Sequence, residues 1–477
     1  MKNLKIYFWI FALIGFTSCE DYLDINTDPN KTADASLNTL LPTILYYTGN
    51  NTYNHAIISS QYCQQIGAVV AAGIDSQPES KFTTLWSDFY LNILPNANVM
   101  ITKANESKSP HYGGIAKVII AYNLGLCSSV WENIAYTSAD NQLTDLSPSY
   151  DSQESVYKSI NDLLDGAIAD LSETESAFKP STDDIIFKGV IANWLKTAYT
   201  LKARYLLHTA KKNGGSYDAV LDALSNGIKS NGEDFQLVYT DKNFNPWHSI
   251  ALANNTGNLT TTFSRTFINM MNGTVQNIVD PRLPLLAYKA AAADPYKGTN
   301  PGAGSGSNVT YNNKTLFYGY HFGLTAPLQM ITNAEARFIE SEVLFHKNGS
   351  IGSDMALTAY LDGIKASMSK IGVADADITA FTDDINIKPA LGELNLKHIM
   401  SEKYKALFLN PEVWNDLRRY DYSSEIYSGL ELPENHNTDL LGAWVQRGFY
   451  PDSEASRNSE EASKNFKELN IKMWIFN

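Results

Sequence analysis

Cysteine is nearly missing from this chain: Cys19, Cys63 and Cys127 are the whole supply in 477 residues. So few thiols cannot staple a disulfide framework. Cys63 and Cys127 lie in apolar helical stretches (SSQYCQQIG and YNLGLCSSV), which suits buried free thiols better than a bridge. Basic residues are scarce as well, 37 against 51 acidic, for a net charge of −14. That balance excludes nucleic acid as a partner, because such binding rests on Lys and Arg neutralising phosphates. Histidine is thin and scattered: the closest pair, His321 and His346, is 25 residues apart, so no H-E-x-x-H or helical His pair exists. A zinc site would have to be assembled from distant segments. GAGSGS (302–307) has neither the Lys-Ser/Thr of a phosphate loop nor G-x-G-x-x-G spacing, and reads as a flexible loop. Asp375 and Asp377 lack the glycine and closing glutamate of a calcium loop and read as the solvated start of a helix. No catalytic residue, metal ligand or cofactor motif is singled out. A carboxylate pair for glycoside hydrolysis is defined by separation in space, and 51 acidic residues favour no particular pair.

Long apolar runs are absent too. Ile6–Phe16 carries no charge but spans eleven residues, short of the roughly 20 a membrane helix needs. Lys2 and Lys5 precede it and Thr17-Ser18 follow, the order of a secretory signal: basic tip, apolar core, small residues before the cut. Cys19 comes next, where a lipoprotein signal places the cysteine that takes a thioether-linked diacylglycerol; Phe16 stands where such signals usually have Leu. The reading is a signal peptide over 1–18, a lipid anchor on Cys19, and one domain over 19–477. Two or more acyl chains suffice for stable anchoring, each buried CH₂ contributing about 0.8 kcal/mol. Removing Lys2 and Lys5 takes the net charge from −14 to −16, so electrostatics would not hold the chain on anionic lipid. No later segment reads as a spanning helix.

What the chain has in quantity is helical periodicity. SQESVYKSINDLLDGAIADLSE repeats apolar residues at Val156, Ile160, Leu163, Leu164, Ile168 and Leu171, behind a capping-box pattern with Glu154. IANWLKTAYTLKARYLLHTAKK puts Trp194, Leu195, Ala198, Leu201 and Tyr205 on one side. TNAEARFIESEVLFHKNG opens with a Thr332/Glu335 capping box, stops at Gly349, and is followed by a second helix over DMALTAYLDGIKASMSKIG. LNLKHIMSEKYKALFLN and EVWNDLRRY give two more, separated at Pro411, with the stem of Lys403 on the apolar stripe of the first. The pattern predicts a mainly α fold: a scaffold of tetratricopeptide-like helix pairs with long irregular loops forming a ligand surface. The loops fall at about 230–258 and 289–326, rich in Gly, Asn, Pro and aromatics, and loops that long are usually functional or disordered.

The chain is also rich in aromatics, 12% with 27 tyrosines. Rings stack on the C–H faces of sugars while Asn, Gln and Asp take the hydroxyls. Trp247 with His248, then Tyr296, Asn300, Tyr311, Asn312, Tyr318 and Tyr320, place that mixture in loop-like surroundings. Trp247, Tyr296, Tyr311, Tyr318 and Tyr320 are the candidate ligand contacts; a ring packing its own loop is the competing reading for each. Trp86, Tyr90, Trp131 and Trp194 sit among aliphatics at helical spacing and read as core.

Several stretches together resemble the SusD/RagB family of outer-membrane lipoproteins of Bacteroidetes. They are APLQMITNAEARFIESEVLFHKNG, IMSEKYKALFLNPEVWNDLRRYDY with Trp414, Asp416, Arg418 and Arg419, DPRLPLLAY, RGFYPDSEASRN, KMWIFN and the CEDYLDINTDPN start. Two places depart from the family pattern: Trp131-Glu132-Asn133-Ile134-Ala135 replaces a Gly-Asp-Ile-Pro turn, and Ile475 follows Trp474 where a second Trp is common. The resemblance implies a helical scaffold at the cell surface on the outer membrane. It implies a partner, a SusC-like TonB-dependent transporter, to which a bound glycan, or in some members a peptide, is delivered. It implies no enzyme activity and transfers no binding residue to this chain. A peptide-binding or protein-interaction lid stays open beside the glycan reading. Aromatics clustered in loops would favour sugar; aromatics scattered along a groove would favour peptide.

Overall fold

In a computed structural model, the described residues are 35–139, 147–215, 217–289, 295–306 and 315–477; Cys19 and Tyr311 lie outside them. The first half runs α1 (Leu37–Tyr62), β1 (Ile66–Ala68), α2 (Leu94–Glu106), α3 (Pro110–Trp131), α4 (Gln153–Ser172), α5 (Ile191–Thr209), α6 (Asp218–Ser225), β2 (Phe235–Leu237), α7 (Pro246–Asn255) and β3 (Thr261–Phe263). The second runs β4 (Ala287–Lys289), β5 (Thr315–Phe317), β6 (Leu328–Ile331), α8 (Asn333–Lys347), α9 (Asp354–Ile371), α10 (Asp375–Asp383), α11 (Leu396–Ala406) and α12 (Glu412–Arg419), with shorter helical turns between. Consecutive helices pack as pairs, α2 on α3, α3 on α4, α4 on α5, α5 on α6 and α8 on α9. The mainly α, helix-pair scaffold expected from the periodicity is therefore present. Among the described residues strands occur as three short antiparallel pairs, β1–β3, β2–β6 and β4–β5.

Local chemistry explains the helix ends. At α4 the cap is Ser152, whose hydroxyl accepts from Ser155 N–H. That leaves Glu154 one position short of the reciprocal bond the sequence suggested. At α8 the Thr332 hydroxyl does accept from Glu335 N–H at 3.2 Å. The Glu335 carboxylate does not reach back, because Arg204 of α5 takes both its oxygens at 2.6 Å. A long-range buried ion pair here wins over a local cap. α9 stops at Gly372, in the left-handed conformation. Lys403 is buried as expected, with its ammonium 2.8 Å from Asp416. Asp375 begins α10, and Cys63 and Cys127 are buried and unpaired.

By length and composition alone α3 would be long and apolar enough to cross a membrane. It is buried on nearly every side, wrapped by α1, α2, α4 and α5. An all-round apolar helix is what the centre of a large helical protein calls for. Trp86, Trp131 and Trp194 are buried, and Tyr90 packs against Trp86 at 4.6 Å, as predicted.

The α4–α5 connection is held by one carboxylate. Fully buried Asp184 accepts from the N–H groups of Ile186, Phe187 and Gly189, each at 3.0 Å, and from the Trp194 indole at 2.8 Å. Asp184→Ala would strand four donors, and buried unpaired groups cost about 1–3 kcal/mol each. We expect a loss of at least about 3 kcal/mol in urea unfolding. A loss under about 1 kcal/mol would show that the loop re-pairs those donors elsewhere.

Candidate ligand-binding surface

The two irregular regions meet in space. Asn245, fully buried, donates its N–H to Leu324 O and its side-chain amide to His321 O, both at 2.9 Å. Its side-chain oxygen accepts from Trp247 N–H and so caps α7, with Pro246 at the first helical position. His248 Nδ1 then donates to Phe322 O at 2.9 Å. The first region is thus not irregular throughout: it contains α7 and β2, and Asn-Pro is the local signal that starts the helix. α7 carries Trp247 inward. Its indole is only 2% exposed, edge-on to Tyr53 at 5.0 Å. Trp247 is therefore corrected from loop contact to core residue in this conformation; it offers no face to a ligand.

The second region carries the exposed rings. β4 and β5 pair antiparallel, Ala287 with Phe317, Tyr288 with Leu316 and Lys289 with Thr315. Tyr318 N–H extends the ladder to Leu286 O. Side chains alternate across the ribbon. Phe317 turns inward onto Phe322 at 4.5 Å, with Phe263 and Phe408 behind them. Tyr288 and Tyr318, diagonal neighbours on the opposite face, are 53% and 57% exposed. Their ring centroids lie 6.2 Å apart with planes inclined by 45°. Burying the Phe face on the scaffold is what holds the Tyr face outward.

Three neighbours complete the surface. Tyr296 is half-buried, with Lys289 Nζ 5.3 Å from its ring centroid. Tyr320 is half-buried, edge-on to His321 at 5.2 Å; burial pushes its hydroxyl up to about 12, partly offset by a hydrogen bond with Gln329. Phe244, before α7, is 47% exposed and lies edge-on to His248. The structure therefore brings Tyr296, Tyr318 and Tyr320 into one loop region, places Trp247 beneath it, and leaves Tyr311 outside the described residues. Tyr288 and Phe244 were not singled out in the sequence. Alternation in Ala287-Tyr288-Lys289 was the available signal for Tyr288.

The loops are firmly built. Gly319 has φ of +73°, and a Cβ there would sit 1.9 Å from Leu285 O, so glycine is required to turn the chain between Tyr318 and Tyr320. GAGSGS is not a free loop in its first half. Gly302 N–H donates to Asp75 Oδ2 at 2.9 Å, and Asp75 also accepts from Ala68 and Gly73. Burial raises the Asp75 carboxyl, against those backbone donors.

Among the described residues no group of three or more His, Cys, Asp or Glu is placed to hold a metal. The buried ionisable groups form structural networks between helices, such as Arg204–Glu335 and Arg419–Glu342. What stands at the surface is a set of exposed and half-buried rings over the helical scaffold. A family model described as "Starch-binding associating with outer membrane", SusD-like, matches residues 29–451. The chain belongs to the SusD-like family. No curated protein matches the sequence. Solved structures share the fold at low identity. A SusD/RagB family protein from Bacteroides thetaiotaomicron is 19% identical with a TM-score of 0.73, covering 93% of this chain and 99% of its own. A SusD-like protein described as Bacteroidetes AC2a is 18% identical at 0.77, covering 93% and 100%. A chitin-binding SusD homologue from Flavobacterium johnsoniae is 18% identical at 0.73, covering 92% and 98%.

Proposed function

We propose that this protein binds a glycan on the loop surface centred on Tyr288 and Tyr318. One observation carries the reading. Two large tyrosine faces stand outward, side by side, on a hairpin whose opposite face is locked to the scaffold. Contiguous exposed apolar patches, unlike scattered single residues, commonly mark binding surfaces, and these two rings lie side by side. Clustering in loops favours sugar over peptide. The family's description as starch-binding and the chitin binding ascribed to similar structures support the same class. Binding is by ring stacking and hydroxyl hydrogen bonds, without bond chemistry. In the same reading Cys19 carries the lipid that holds the protein on the outer face of the outer membrane. The glycan then passes to a SusC-like TonB-dependent transporter.

The test is affinity electrophoresis of the full chain carrying Cys19→Ser through gels containing single polysaccharides. The expected result is retardation by at least one glycan, reduced at least tenfold in apparent affinity by Tyr288→Ala or Tyr318→Ala and unchanged by Trp247→Phe. Retardation that survives both tyrosine changes would move the site elsewhere. No retardation by any glycan would sink the reading.

A further inference from the structure

Charge is missing from the chain in three places, and those places meet beside the tyrosine pair. Residues 35–74, 243–264 and 315–334 contain no Asp, Glu, Lys or Arg, in a chain of which 18% is charged. They lie far apart in sequence and together in space. Ile66 of β1 pairs with Phe263 of β3, and Thr262 donates its hydroxyl to Thr315 O at the start of β5. Val69 N–H extends the β1–β3 pair to Thr260 O at 3.0 Å. Val69, Leu259 and Leu316, one from each stretch, close into a small apolar cluster of their own. Leu316 is the strand partner of Tyr288 and shares its face of the ribbon with Tyr318. The outer face of the ribbon therefore runs on into the Val70–Ala72 turn and the Asn258–Thr260 segment.

Burial does not account for the missing charge. Val70 is 63% exposed, and Ala71, Ala72, Asn258, Thr260 and Tyr318 are exposed as well. Protein surfaces ordinarily intersperse both signs of charge, whereas the centre of a binding interface is depleted of it. Among the described residues the nearby charges stand at the margins or are engaged. Lys289 takes the opposite ribbon face, over the Tyr296 ring. Lys297 N–H holds the ribbon edge at Thr315 Oγ1, and Arg265 lies 4.0 Å from Glu431. Asp75 is buried under three backbone N–H groups, and Glu434 accepts from Asn300.

We infer that this surface selects an electrically neutral glycan, laid across Tyr288 and Tyr318 with further C–H contact on the Val70–Ala72 turn. The inference deepens the glycan-binding reading and rests on it. A uronate, sulfate or free amino sugar would give up water around its charge with nothing of opposite sign to replace it, and a buried unpaired charge is costly. A neutral sugar loses hydration only from C–H faces that rings and small apolar side chains favour. Asn258 and Thr260 offer an amide and a hydroxyl to its own hydroxyls. Selection comes from what the surface leaves out.

The experiment uses the full chain with Cys19→Ser and polymers in matched pairs: pullulan with C6-oxidised pullulan, glycol chitin with glycol chitosan, and carboxyl-reduced polygalacturonate with polygalacturonate. At least one neutral member should bind, and its charged counterpart should bind about tenfold more weakly or worse. Neutral binding should stay level from 20 to 300 mM salt, where screening would weaken a charge-held ligand. Val70→Lys sets a cation into the surface. It should raise affinity for the acidic members about tenfold at 20 mM salt, with the gain lost at 300 mM and the unfolding midpoint unchanged. If charged members bind as well as their neutral counterparts, or Val70→Lys leaves acidic-polymer binding where it was, this inference falls while the glycan reading stands. If no polymer binds, the glycan reading falls and takes this inference with it.

Discussion

Arg282→Met is expected to destabilise the protein by about 3–5 kcal/mol, the cost typical of breaking a buried ion pair from one side. Arg282 is 1% exposed and bonds Asp280 at 2.6 Å, Glu402 at 2.7 Å and Ser367 at 3.1 Å. Lys405 closes the ring from the other side, 3.0 Å from Asp280 and 2.5 Å from Glu402. Two cations and two anions balance. Burial alone would raise the Asp280 carboxyl, but Arg282 and Lys405 together hold it well below the usual carboxylate range. Methionine matches much of the arginine's length and leaves two carboxylates facing one ammonium without water. The charge-balanced double variant Arg282→Met/Glu402→Gln should recover part of the loss, because the pair shares one network. Urea unfolding of the full chain measures both. A single variant losing less than about 1 kcal/mol, or a double variant losing the sum of two singles, would contradict this description of the network.

Acidification below about pH 6.5 should weaken the fold through its buried histidines. His55 is fully buried, its ring nitrogens each 3.1 Å from Ser59 and Ser129 hydroxyls. Burial, then the nearby Arg418 charge, lowers it to about 3. Burial and Lys370 lower His321 to about 4. Folding therefore favours the neutral ring, and the unfolded chain, with histidine near 6.5, binds the proton first. Stability is full above about pH 6.5 and falls as pH drops from there toward the folded values. By pH 5 each of the two rings should have cost about 2 kcal/mol. His346, His398 and His436 are lowered in the same direction, while the raised carboxyls of Asp75 and Glu335 act in the opposite sense. Glu342 and Glu412 are also held low, burial being outweighed by Arg419 for the first and by His208 and Arg204 for the second. Their contribution is present above about pH 4.5 and is lost only below it. Urea unfolding at pH 7.5, 6.5 and 5.0 should show the decline, and His55→Gln should flatten it. A level profile down to pH 5 would contradict the burial of these rings.

Much of the scaffold was legible because helix periodicity is local. The apolar stripes of α4, α5, α8 and α9 lie within one sequence window each, and the glycine that ends α9 is visible beside them. What was not legible depends on distant partners. Glu335 reads as half of a capping box until Arg204, 131 residues away, claims its carboxylate. Trp247 reads as a loop ring because its neighbours are Asn, Pro and Ser, although Asn245-Pro246 was a helix start in plain view. For Tyr288 the alternation of Ala287-Tyr288-Lys289 was a weak local signal, and which face is outward is set by pairing β4 with a three-residue strand 26 residues downstream. Tyr318 and Tyr320 were found by composition, while the exposure that separates them is set by the turn at Gly319.

Co-crystallisation with a short oligosaccharide cut from whichever polymer the gels retain tests the central claim most directly. A pyranose ring stacked within about 4 Å of the Tyr288 or Tyr318 face is the predicted result. Other places could hold a sugar, among them the cavity of about 670 Å³ bordered by Tyr112 and Phe178 and the cleft beside Trp86 and Tyr90. A sugar seated in either of those, with the tyrosine pair bare, would contradict the account.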